Sequence, residues 1–222
     1  MLRTEKFASD NADEVRRLIR RNPWVTFVSM TPSGLVASHY PTLLDEGDTT
    51  DICLLTHLGK PDEEHHALGA SEIMAIVQGP HAYVSSSWYD EGDVIPTWNH
   101  VTAHLYGVPE MLTDDENFEV LTKLVNHFER GLPLGRRLPQ DHEGVRAAAR
   151  ATVGMRLRVS HFQFRPKLSQ NKPEHVRENI IRELGGYGPY AHHALADEMR
   201  RWGELYPEDL EHGRGYGDPG VR

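Results

Sequence analysis

From Trp24 to Tyr106 the sequence reads as one short strand after another, separated by turn residues, and this succession decides the fold class. Trp24-Val25-Thr26-Phe27-Val28-Ser29-Met30 is β-branched and aromatic, which favours a strand. Thr31-Pro32-Ser33-Gly34 is turn chemistry, and Leu35 to Leu44 is the return strand of a hairpin. Pro41 places that strand at an edge or at a bulge. After the turn Asp45-Glu46-Gly47-Asp48, Asp51 to His57 is a third strand, and Leu58 to Gly69 is a loop or short helix. Ile73 to Val77 runs through Gly79-Pro80 and continues as His81 to Ser85. Asp90 to Val94 is an acidic turn, and Thr97 to Tyr106 is a fifth strand.

Helical periodicity is confined to the flanks. Ser9 to Arg21 is capped by Ser9 or Asp10, carries Val15, Leu18 and Ile19 at helical spacing, and stops at Pro23. Asp114 to Arg130 is the clearest helix, capped by Thr113 or Asp114, with Phe118, Leu121, Leu124, Val125 and Phe128 as its apolar stripe. Val145 to Ala151 is a short helical piece, and Met155 to Phe164 alternates like a half-buried strand. Pro173 to Leu184 and Ala191 to Trp202 are further helices, and Pro207 to Arg222 is a loose tail. Short strands with one long helix before the last of them predict a small closed antiparallel barrel with peripheral helices, an α+β arrangement. Residues 1–185 are expected to form this domain, and 186–222 a C-terminal helical extension and tail.

The chain has 222 residues, long enough to bury a core without staples. Its single cysteine, Cys53, excludes an intrachain disulfide, so a cytoplasmic home fits best. The N-terminus lacks the apolar stretch of a signal peptide, and no apolar run approaches a membrane span. A formal charge of -9 argues against a surface that grips nucleic acid everywhere, though not against a local basic patch. Glycine fingerprints for dinucleotides and the phosphate-loop motif are missing.

Three segments carry candidate chemistry. Gln78 to Tyr89 (QGPHAYVSSSWY) sets hydrogen-bonding side chains beside aromatics, as a bulged strand with a polar outer face or as a ligand wall. In Pro96 to His104, alternation puts Thr97, Asn99 and Val101 on one face and Trp98, His100, Thr102 and His104 on the other. That polar row is either a solvated edge face or a functional one. Lys167 to Pro173 (KLSQNKP) offers two ammonium groups, a hydroxyl and two amides next to Arg165. Capping before Pro173 explains most of it, and a phosphate would also suit it.

Other chemistries find less support. Glu64-His65-His66, His192-His193 and the His39/His57 pair are the metal candidates, without an H-E-x-x-H stretch or a cysteine pair, so no dedicated metal site is expected. There is no G-x-S-x-G, and Cys53 sits inside an apolar strand as a core filler.

Together QGPHAYVSSSWY, VIPTWNHVTAHLYG (Val94 to Gly107) and KLSQNK resemble the PaiB-type family of FMN-binding negative transcriptional regulators. Val25 to Leu44, with His39 and Pro41, is similar to that family's opening hairpin, and the resemblance covers about residues 1 to 185. Lys60-Pro61-Asp62-Glu63 departs from the family pattern, and the tail after Leu184 is longer. The resemblance implies an FMN-binding split barrel, antiparallel and of Greek-key type. Such proteins are usually homodimers with flavin in a groove between subunits. It assigns Lys167 and Ser169 to the phosphate, with Arg165 as a helper, and sets Trp88 and Trp98 along the ring. Gln170, Asn171, Asn99 and Ser85 supply further polar groups, and His39 and Thr56 lie on neighbouring strands.

The function implied is a flavin-binding transcriptional regulator in the cytoplasm, with no membrane partner. DNA would be reached through a patch such as Arg146, Arg150, Arg156 and Arg158, or indirectly through a partner. A flavin-dependent oxidoreductase of a small substrate is the alternative, since the fold hosts such chemistry. A haem-binding barrel using His39, His81, His100 and His104 is the third reading.

Overall fold

The computed structural model describes residues 5–139 and 143–210. The strands are β1 (Trp24–Thr31), β2 (Gly34–Leu44), β3 (Cys53–Gly59), β4 (Ile73–Val84), β5 (Thr97–Gly107), β6 (Pro109–Met111), β7 (Thr152–Arg158) and β8 (His161–Lys167). The helices are α1 (Ala12–Arg21), α2 (Lys60–His65), α3 (Asp114–Glu129), α4 (Glu143–Ala149), α5 (Glu174–Leu184) and α6 (His193–Leu205). One eight-stranded sheet has the linear order β6-β7-β3-β2-β1-β4-β5-β8. The fold class expected from the sequence therefore holds: an antiparallel sheet of the split-barrel type with helices around it.

Local chemistry accounts for most element boundaries. Asn11 caps α1 by accepting from the Asp13 and Glu14 amides. The expected caps lie upstream: Ser9 instead pairs with Phe164 through its amide, 3.2 Å from the carbonyl oxygen. Thr113 and Glu116 form a reciprocal capping box at α3. Met155 to Phe164, expected as one strand, is two. Val159 and Ser160 leave the run to bond the Ile52 and Tyr106 carbonyls at 2.9 and 2.8 Å, and the chain turns into β8. The three-residue β6, which opens on Pro109, pairs with β7 and has no periodicity long enough to read in sequence.

The chain clusters into two compact units. One contains Asn11–Gln78 and Ala103–Phe162. In it β1 pairs with β2 over the hairpin, β2 with β3, and β3 with β7, all antiparallel. Helix α3 presents Val120 and Leu124 to Leu55 and Leu112 in the core. Gly154 makes this close approach possible, because a Cβ there would stand 3.0 Å from the Asn117 Cα. The Asn117 amide then bonds the Ala149 and Thr152 carbonyls, each at 3.2 Å, which fixes α3 to the start of β7. The other unit contains Met1–Asp10, Gly79–Thr102 and Gln163–Arg222. Helices α5 and α6 pack together there, with Ile180, Leu184, Leu195 and Trp202 buried. Residues 211–222 of the expected tail lie outside the described residues. No described helix is long and apolar enough to cross a membrane.

Candidate functional site

The second of these units encloses a cavity of 190 Å³. Its wall comes from the N-terminal segment at Phe7, from Tyr89 to Asn99, and from Lys167 to Lys172. Strand alternation aims β5 at it: Asn99 is buried, and Trp98 on the opposite face is exposed. The Asn99 amide and the Ser169 hydroxyl satisfy each other. Nδ2 donates to Ser169 Oγ at 2.9 Å, and that hydroxyl donates back to Oδ1 at 3.1 Å. Ser169 has φ +62, a left-handed conformation uncommon outside glycine, and this buried pair holds it there.

Lys167 ends β8 with its ammonium donating to Thr97 Oγ1 and, at 3.0 Å, to the Trp98 carbonyl. Burial lowers its pKa, and the charge of Arg165 adds to the effect. An ammonium has three donors, and two protein acceptors are found among the described residues. Lys172 pairs with Asp93 and lies 4.2 Å over the ring of Tyr89. The Tyr89 hydroxyl is buried with no hydrogen-bond partner among the described residues. Burial, and then the charge of Asp93, pushes its pKa up to about 12, so it stays a neutral donor. A buried orphan hydroxyl beside two lysines calls for an acceptor, preferably an anion. With Asp93 of the same wall neutralised by Lys172, the Lys167 and Tyr89 donors fit a phosphate, and Phe7, Ile95 and Pro96 add apolar wall beside them. The volume is below the roughly 300–1,000 Å³ of a drug-sized ligand pocket, so it has room for no more than one end of a nucleotide-sized molecule.

Of the residues singled out in the sequence, Lys167, Ser169, Asn171 and Asn99 meet in this wall. Gln170 is buried but turned on its own loop, accepting from the Leu168 amide at 2.7 Å and donating to the Pro166 carbonyl at 2.5 Å. Trp98 lies on the outer face, stacked on His81 at 6.1 Å and edge-on to Tyr83 at 6.2 Å. Tyr83 in turn meets Tyr190 at 5.0 Å. Ser85 caps the turn of 3₁₀ helix Ser86–Trp88, whose Trp88 carbonyl accepts from Asn179 at 2.7 Å. His39 and Thr56 belong to the other unit. There the Thr56 hydroxyl donates to the Pro41 carbonyl at 2.8 Å, and His39 is edge-on to Trp24. Tyr89, Thr97 and Lys172 enter the wall without having been singled out individually. Thr97 was on the Asn99 face by alternation, and the other two lay inside quoted motifs; Phe7 carried no signal.

Among the histidines considered for haem, His81 and His100 lie in one unit and His39 and His104 in the other. His100 contacts Thr102 Oγ1 at 3.0 Å. Burial, then the charges of Arg165, Lys167 and His81, lowers its pKa to about 4. The pKa of His104 is lowered by burial, and its Nδ1 is buried without a hydrogen-bond partner among the described residues. In the basic patch, Arg146 faces Asp115 at 3.6 Å, Arg156 faces Glu110 at 3.1 Å, and Arg158 pairs with Asp48. Three of the four guanidinium groups weighed for DNA are thus matched by carboxylates.

A second polar cluster lies in the first unit. Tyr40 and Ser38 donate to Asp62 Oδ2 at 2.5 and 2.8 Å. His66 joins Ser38 through Nε2 at 3.0 Å and Ser29 through Nδ1 at 2.8 Å. Because Ser38 donates to the carboxylate, it accepts from His66, so Nε2 carries the proton and Nδ1 accepts from Ser29.

An eight-stranded antiparallel sheet of this strand order defines a split-barrel fold. The chain belongs to the family described as "Putative FMN-binding domain", which matches residues 1–161. It is 33% identical over 188 residues to "Protease synthase and sporulation protein PAI 2" of Bacillus subtilis, covering 80% of this chain and 86% of that one. Two solved structures share the fold. The FAD and heme binding protein of Mycobacterium smegmatis superposes with a TM-score of 0.58 at 16% identity, over 97% of this chain and 90% of that chain. The flavocytochrome Anf3 of Azotobacter vinelandii gives 0.58 at 13% identity, over 100% and 89%.

Proposed function

We propose that this protein binds FMN and works as a PaiB-like regulator in the cytoplasm. The observation that carries the reading is the buried, unpartnered Tyr89 hydroxyl in a wall with Lys167 and Lys172. Lys167 would hold the phosphate, with Tyr89 as a neutral donor and Lys172 kept in the wall by Asp93. Thr97 and Ser169 keep the cationic loop in place, and Asn171 completes the wall. Trp98, exposed on the other face of β5 and stacked on the half-buried His81, offers one aromatic face to a ring. When bound, the flavin supplies hydride and electron chemistry.

A homodimer is part of the proposal. The cavity accommodates only part of a flavin nucleotide, so the remainder needs another surface. Met30 and Leu35 are cross-strand partners in the β1–β2 hairpin and are 67% and 71% exposed, with Trp24 at 62%. Exposed large apolar side chains on a hairpin are candidates for an interaction surface. The regulatory role draws on the name of the Bacillus subtilis relative. With the arginine patch largely ion-paired, contact with DNA through a partner is favoured over direct contact.

The test is the absorption spectrum of the purified protein with an FMN titration, joined to its mass in solution by light scattering. Saturable FMN binding by a dimer supports the proposal. No binding by either the purified or the reconstituted protein overturns it. A Soret band quenched on replacing His100 would favour the haem reading. Nicotinamide oxidation by the yellow protein would make it a flavin-dependent oxidoreductase.

A further inference from the structure

Another cavity lies in the unit containing Asn11–Gln78 and Ala103–Phe162, and it has a volume of 440 Å³. That falls within the range of small-molecule pockets. Its walls are the end of α1, the end of β2 with the following turn, Leu55 of β3, and the outer side of α3. Ile19, Leu43 and Leu55 make the floor, continuous with the core cluster under α3. The rim is cationic. Lys123 and Arg130 are exposed and have no acidic partner among the described residues. The acids of the rim are already engaged: Glu46 is bidentate with Arg20 at 2.7 and 2.8 Å, and Asp45 faces Arg156 at 3.9 Å.

Asn126 also lines the cavity, and its Oδ1 is buried with no hydrogen-bond partner among the described residues. A buried amide without a partner is costly, and few native groups are left that way. The oxygen and nitrogen of an amide are exchanged by a flip, so Asn126 can present its NH₂ to an anion. We propose that this cavity binds an amphipathic carboxylate, with its apolar body on the Leu43–Leu55 floor and its head between Asn126, Lys123 and Arg130. An apolar ligand lacking charge would leave the amide orphaned, and an inorganic anion would leave the floor wet. A second, anionic ligand gives the protein a small-molecule input independent of the flavin reading.

The test is calorimetric titration of the full chain with sodium decanoate, and with decyltrimethylammonium as the matched cation. Decanoate is expected to bind saturably at one site per chain, about tenfold or more tighter than the cation. K123E/R130E, two exposed changes that leave the core untouched, should weaken decanoate by about tenfold or more. Leu43→Trp should block it by filling the floor, and circular dichroism confirms that each variant is folded. FMN at saturation should leave decanoate affinity unchanged, which separates this site from the flavin proposal. Absence of saturable heat, equal binding of the cation, or indifference to K123E/R130E in a folded protein would each overturn the assignment.

Discussion

The polar cluster at α2 and the lysine-lined cavity at the end of β8 have similar ingredients and opposite characters. At α2, Ser29, His66, Ser38, Asp62 and Tyr40 form a continuous chain of hydrogen bonds in which each partner is used. Such a closed network specifies packing: it pins a six-residue helix to β1 and β2. At the cavity, the supporting pairs are also closed, Asn99 on Ser169 and Lys172 on Asp93. Yet the Tyr89 hydroxyl and the third donor of Lys167 are left without protein acceptors among the described residues. The contrast teaches that the density of polar residues does not mark a site; groups held rigidly and left unsatisfied do.

The largest expected effect that sharpens this contrast comes from His66→Ala. It leaves the buried Ser29 hydroxyl without its acceptor, a cost of about 1–3 kcal/mol. For a chain of this size that lowers Tm by about 2–4 °C per kcal/mol. FMN affinity should be unchanged in the folded fraction, and a melting curve paired with an FMN titration reads both. Equal melting temperatures would remove the closed network from the account.

Tyr89→Phe should do the reverse. It deletes a hydroxyl that bonds nothing in the protein, so stability should hold or rise. FMN affinity should fall by about 0.5–1.5 kcal/mol, the scale of one neutral hydrogen bond. A loss of stability without loss of affinity would make the residue structural.

A third expected outcome concerns pH dependence. His57, His66, His100 and His104 all have pKa values lowered, with burial the first cause in each. A group that holds its proton less tightly when folded favours unfolding as it protonates. The stability these histidines contribute is therefore full above about pH 6.5 and is lost as pH falls toward the value of about 4 at His100. Melting temperatures across that window should decline gradually, and a flat profile would contradict the burial assigned to these rings.

Strand alternation was legible wherever it ran long enough. The pattern at Thr97 to His104 placed Asn99 and Thr97 on one face, and the structure puts both in the cavity wall. It misled at Met155 to Phe164, because a two-residue break at Val159-Ser160 does not disturb the hydrophobic period. Residue type alone could not say where an amide points: Asn99 turns to Ser169 at the cavity, and Gln170, one residue further along, turns back on its own backbone. Nor could local pattern bring Phe7 to Lys167, since that contact joins the two ends of the chain, 5.9 Å from ammonium to ring centroid.

The account stands on Lys167 as an anion ligand, and FMN titrations of the wild-type protein and Lys167→Ala test it most directly. The expected result is a loss of about 1.5–3 kcal/mol in FMN binding, as for a hydrogen bond to a charged group, with riboflavin affinity little altered because it lacks the phosphate. An unchanged FMN dissociation constant in the folded variant would contradict it.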